Sequence, residues 1–209
     1  MKRRFTLTVA LVAVVLTLAA AGGRAAGGWR VYKLTSPQQA DDKYKARPGI
    51  YDPDNTGSVS AQWVSDIGLA DDRGNGAFAL YLVKAAPTGA NSASGAVIDG
   101  VVGKTVSQLG FDVRDDSHCG AGAPRFNVFT DANAVHFFGC SYGTHTALPG
   151  GWTRVTFSPA DGNPAMSPTE HVTYMEVVFD EGTDQGVGYS VLDNINVNGQ
   201  YITKPGAAR

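Results

Sequence analysis

The chain has 209 residues, a formal net charge of −2, 26 Gly, 10 Pro and two Cys. That length suits a single domain able to bury a real core. The mildly acidic balance, with no cluster of Lys and Arg, excludes nucleic acid as a partner.

The N-terminus reads "MKRRFTLTVALVAVVLTLAAAGG". Basic Lys2, Arg3 and Arg4, an apolar stretch from Phe5 to Ala21 and small residues after it have the build of a secretory signal peptide. Residues 1–26 are therefore expected to be a signal, cleaved near 21–26 at Ala19-Ala20-Ala21 or beside Arg24-Ala25-Ala26. The competing reading is an uncleaved anchor helix, although the apolar stretch falls short of the ~20 residues that span a bilayer. No Cys follows the apolar stretch, which speaks against a lipoprotein. The expected product is secreted, extracellular or periplasmic, and has no membrane partner once the signal is removed.

Beyond the leader, helical periodicity is almost absent, and short alternating runs are cut by turn residues. The segment 27–50 is expected to hold one edge strand, "WRVYKL" (29–34), and a polar loop, "SPQQADDKYKARPG" (36–49). Strand candidates follow at 58–64, 77–85, 95–103, 106–114, 124–130, 134–140, 151–157, 171–179, 188–197 and 200–203. In "AFALYLVKA", Phe78, Leu80 and Leu82 take one face, and Tyr81 and Val83 the other. "DANA" (131–134) joins two of the runs as a hairpin turn. The pattern predicts an all-β fold, an antiparallel β-sandwich of jelly-roll type over 51–203, with a frayed tail at 204–209.

In an exported chain the two cysteines, Cys119 and Cys140, read as a disulfide. The hairpin brings residues 122–124 opposite Cys140, with Cys119 slightly beyond. A catalytic thiol beside His118 is the rival reading, and it would have to escape oxidation by its only possible partner.

Catalysis finds little support. Glycoside hydrolysis normally needs two carboxylates, and the chain has three Glu, at 170, 176 and 181. Glu176 and Asp180 form the best pair. Alternation places both with Tyr174 on a solvent-facing or cleft-facing side, opposite Met175, Val177 and Phe179. There is no E-x-D-x-x-E run, no G-x-S-x-G elbow, and no H-x-H or H-E-x-x-H among His118, His136, His145 and His171. The expectation is a non-enzyme.

One strand poses a puzzle. In "VLDNINVNG", strict alternation puts Asp193 between Val191 and Ile195 on an apolar face. A carboxylate there must be paired, caged by N–H donors, or bound to a cation. Arg125 and Arg154 are candidate partners for a pair. For a structural calcium, which takes about 6–8 oxygens, the turns "DPDNTG" (Asp52, Asp54) and "DEGTD" (Asp180, Asp184) could supply the remaining ligands.

The segment "GYSVLDNINVNG" resembles the last strand of jelly-roll carbohydrate-binding modules, where an embedded Asp commonly ligates a structural calcium. The stretch from "SHCGAGAPRFNVFT" to "VHFFGC" is also similar to secreted bacterial proteins. The first resemblance implies a glycan as partner, stacked on aromatic faces. The candidates are Trp63, Tyr81, Trp152 and Tyr174. The alternatives are a secreted structural or protein-interaction domain and, behind it, a glycan-cleaving enzyme of the same fold.

Overall fold

The computed structural model describes residues 44–69, 77–181 and 187–205. All of them lie in one compact unit. The expected signal peptide, the expected strand at 29–34, Asp184 and the end of the tail fall outside the described residues.

Twelve strands run through the described residues: β1 (Lys45–Tyr51), β2 (Val59–Val64), β3 (Ala79–Lys84), β4 (Ala93–Asp99), β5 (Leu109–Arg114), β6 (Arg125–Thr130), β7 (Val135–Gly139), β8 (Thr144–Leu148), β9 (Trp152–Phe157), β10 (Val172–Phe179), β11 (Tyr189–Val197) and β12 (Gln200–Ile202). Five form a sheet in the order β1-β4-β10-β6-β7. The other seven form a second sheet, β2-β3-β11-β5-β9-β8, with β12 also paired to β11. Every pairing between named strands is antiparallel. The chain passes repeatedly from one sheet to the other, an all-β sandwich compatible with jelly-roll architecture. Among the described residues no helix is long and apolar enough to cross a membrane.

Alternation explains the packing between the sheets. Leu80 and Leu82 of β3, Leu109, Phe111 and Val113 of β5, Val155 and Phe157 of β9, and Met175, Val177 and Phe179 of β10 all enter one core. Phe111 lies 5.7 Å from Phe126 and 5.9 Å from Phe157, centroid to centroid. Burying one such side chain is worth about 1.5–3 kcal/mol, more than the ~0–1 kcal/mol of an exposed ion pair. The inward faces therefore set the register. The turn at 131–134 closes β6 onto β7 as expected, with Thr130 N–H donating to the Ala134 carbonyl and Asn133 at φ 56°.

Three expectations change. The end of the expected 36–49 loop is a strand: Lys45–Tyr51 pairs residue for residue with β4. Its charges face outward while Ala46 enters the core, and Pro48 is tolerated because β1 is an edge. Second, "THTAL" forms β8, which carries no apolar alternation because four of its five residues are exposed.

The third change resolves the puzzle of Asp193. The β11–β5 register shifts between Asp193 and Asn196, and Asn194 sits at φ 47°. This is a β-bulge, with Asn in the left-handed conformation it tolerates better than most residues. Parity reverses across it. Leu192, Ile195 and Val197 face the core, while Val191 packs outside with Ala79 and Trp152. Asp193 shares the outer side with Val191 and is not on the core face.

Candidate functional site

Asp193 is nonetheless fully buried. One of its carboxylate oxygens accepts the Leu69 N–H at 2.9 Å and the other accepts the Asn194 N–H at 2.6 Å. Across the strand pair lies Asp112, also fully buried. Arg154 donates to both Asp112 oxygens at 2.7 and 2.8 Å, and the Asn194 amide donates to one of them at 2.8 Å. Arg154 thus belongs to Asp112, and Asp193 is met by backbone N–H groups.

Of the aspartates expected to share a cation, those among the described residues (Asp52, Asp54, Asp180 and Asp193) form no metal-holding group. Asp52 folds its own turn, accepting from Thr56 N–H and hydroxyl, Gly57 N–H and the Ser92 hydroxyl. Against a cost of desolvation, those donors hold it below the usual carboxylate range. Asp54 is exposed on that turn. Asp180 is bound bidentately by Arg125, at 2.6 and 2.8 Å. Among the described residues, no three His, Cys, Asp or Glu side chains form a group able to hold a metal. A hard cation wants about 6–8 oxygens at one point, and the described donors do not fit it.

The outer side of the five-stranded sheet carries the densest polar network. Glu176 was expected to face solvent or a cleft, yet it is fully buried. Its carboxylate accepts the Asn127 amide at 2.8 Å and the Tyr174 hydroxyl at 2.9 Å. Arg125 donates to Asn127 at 2.8 Å and to the Gly122 carbonyl, besides gripping Asp180. Burial works against the Arg125 charge, but Asp180, helped by Glu176 and Glu181, keeps the guanidinium above its ordinary value. Arg47 pairs with Asp99 on the same sheet. The group expected to contain a carboxylate pair is a hydrogen-bonded frame.

The four candidate aromatics separate clearly. Trp152 is only 4% exposed, and Tyr174 only 9%, beside Val97, Tyr51 and Phe129. Trp63 packs on the core edge and donates its indole N–H to the Ala46 carbonyl at 2.9 Å. Tyr81 lines an open recess. That recess, of about 440 Å³, is walled by Tyr81, Val83, Ala85, Ala86, Pro87, Gly188 and Tyr189.

Sequence reading passed over the second wall, Tyr189. Its parity with Val191 marked it as a core residue, and only the bulge downstream shows that this parity points outward. The two tyrosine rings stand 5.8 Å apart at 57°. Tyr189 is held from behind by the loop after β5. Its hydroxyl donates to the Asp116 carbonyl at 3.0 Å, and its own carbonyl accepts the His118 N–H at 2.9 Å. The Ser190 hydroxyl donates to the His118 carbonyl as well. The same loop is fastened by the Cys119–Cys140 disulfide, whose Cα atoms lie 5.3 Å apart.

None of the described residues that line the recess is charged. Among these described residues a charged ligand would lose water without gaining a charged partner, so they suit a neutral ligand with an apolar face. Compared with protein-family models, with curated proteins and with solved structures, the chain matches none.

Proposed function

We propose that the chain is an exported, non-catalytic β-sandwich domain that binds a neutral saccharide in the Tyr81–Tyr189 recess. One observation carries the reading: two paired aromatic rings and a proline wall an open hollow whose described lining residues carry no charge. Aromatic faces offer large contact area with a polar tip at the rim, and small-ligand sites combine such apolar walls with a few polar groups. A pyranose presents the matching surface, a C–H face edged by hydroxyls. The resemblance of "GYSVLDNINVNG" to jelly-roll carbohydrate-binding modules agrees with this. A signal-like leader and a disulfide agree with export into an oxidising compartment.

The test is a glycan array with the protein, followed by titration calorimetry on any hit. Tyr81→Ala and Tyr189→Ala should each weaken binding at least tenfold, by roughly 1.4 kcal/mol or more, while Tyr174→Phe leaves it unchanged. An array without a reproducible hit, or binding that survives both alanine variants, overturns the proposal.

A further inference from the structure

The recess on the seven-stranded sheet has two flanks, and strand register decides what stands on each. In antiparallel strands, directly opposed residues point to the same face with Cβ atoms about 4.5–5.5 Å apart. Two rows cross the recess. Val83 of β3 is paired to Tyr189 of β11 on one side and to Ser60 of β2 on the other. Tyr81 is paired to Val191 of β11 and to Gln62 of β2.

Alternation sets the facing of β2. Ala61 and Trp63 pack on the core, so Ser60 and Gln62 turn outward to the face of Tyr81 and Val83, and both are exposed. The β11 flank is of the other kind. Val191 is fully buried in an apolar cluster with Ala79 and Trp152, and the Tyr189 hydroxyl already donates to the Asp116 carbonyl. The recess thus has an apolar flank on β11 and a polar flank on β2, the last strand of its sheet.

Resting on the saccharide reading above, we infer that Gln62 determines the specificity of the recess. Its side-chain amide holds two neighbouring hydroxyls of a sugar ring whose C–H face lies on Tyr81. Three observations carry this. The first is availability. Neither the Gln62 nor the Ser60 side chain is hydrogen-bonded within the described residues. Other polar groups of the surface, such as Asp52, Asp131 and Asn198, are engaged in fixing turns and loops.

The second is chemical. A primary amide carries two N–H donors and a carbonyl acceptor. It can donate to one hydroxyl of a vicinal diol while accepting from the next, which a carboxylate or an ammonium group cannot do. Ligand sites of this kind take their orientation from a few placed polar groups beside apolar walls. The third is position. Gln62 is directly opposite Tyr81, and its side chain is long enough to lift the amide to the level of a ring stacked on the phenol. Ordering an exposed Gln costs side-chain entropy on binding, so its effect is several-fold rather than a hundredfold.

The probes are four neutral tetrasaccharides, cellotetraose, maltotetraose, xylotetraose and mannotetraose, titrated into the full protein by calorimetry. The saccharide reading requires that at least one binds and that Tyr81→Ala weakens it. Gln62→Leu removes the amide at an exposed position and should fold, as near-UV circular dichroism will show. It should weaken binding of that tetrasaccharide about fivefold, the scale of one net hydrogen bond. Monodeoxy forms of the same sugar give the decisive readout. Removing either hydroxyl of the diol should weaken binding to the wild type by a similar factor and make no difference to Gln62→Leu, because amide and hydroxyl are partners in one interaction. Binding that needs Tyr81 but is unchanged in Gln62→Leu overturns the role of Gln62 and leaves the recess reading standing. So do deoxy penalties that are equal in the wild type and the variant. Binding of none of the four sugars overturns the recess reading itself, and the role of Gln62 with it.

Discussion

The outer sides of the two sheets put polar chemistry to opposite uses. On the five-stranded sheet, Arg125, Asp180, Asn127, Glu176 and Tyr174 are joined in a chain of hydrogen bonds, and Glu176 has no exposed surface. On the seven-stranded sheet, the Tyr81–Tyr189 recess has no charge among its described lining residues and stands open. A dense group of titratable residues draws the eye as a site, yet here those residues satisfy one another. Buried polar groups demand partners, and once supplied they have little left for a ligand. The open, sparsely polar hollow is the better candidate.

Breaking the frame should therefore cost stability. Arg125→Ala strands the Asp180 carboxylate, whose side chain is 12% exposed. Removing one partner of a buried pair typically costs about 3–5 kcal/mol. Urea denaturation should show a loss of that order while recess binding persists at temperatures where the variant is folded. A loss under 1 kcal/mol would mean that the pair is wet and that this side deserves a ligand search.

Glu176→Gln is the next largest. An amide offers one acceptor where the carboxylate offered two, so the Tyr174 hydroxyl must turn round and accept from the new N–H if the Asn127 bond is to survive, and the carboxylate's attraction for Arg125 is lost. The expected cost is about 1–3 kcal/mol, against the ~0.5 kcal/mol or less of a surface change. A neutral result would restore the solvent-facing assignment that strict alternation suggests.

The smallest effect concerns Asp193. Because N–H groups meet its two oxygens, a thermal melt with millimolar calcium should match one with EDTA. Anything that binds only the folded state raises its melting temperature by mass action. A reproducible rise with calcium would overturn the N–H cage and bring Asp184 or the other turn aspartates back as ligands.

Much of the fold was legible because inward faces obey a period of two. The runs around Leu80, Phe111, Val155 and Val177 mark β3, β5, β9 and β10 directly. β8 was not legible, since a strand exposed on four of five residues leaves no apolar signal. β1 was hidden by charges that its edge position allows to point outward. The site was harder to read. One extra residue at the Asn194 bulge reverses parity along β11. Alternation counted through the bulge misplaces Asp193 and hides Tyr189. Tyr81, on a strand without a bulge, was assigned correctly to the outer face.

The Cys119–Cys140 staple bears on the proposed binding recess as well as on folding. Joining residues 21 apart in sequence, it restricts the unfolded chain by about 3 kcal/mol in the loop-entropy account. The loop it fastens also carries the Asp116 and His118 groups that hold Tyr189 in place. The aromatic wall is therefore ordered before any ligand arrives, and association does not have to freeze it. A preorganised wall of this kind lets a shallow contact reach useful affinity. Under reducing conditions the same ring should still be present but less firmly held, and the loss should appear first as faster ligand release.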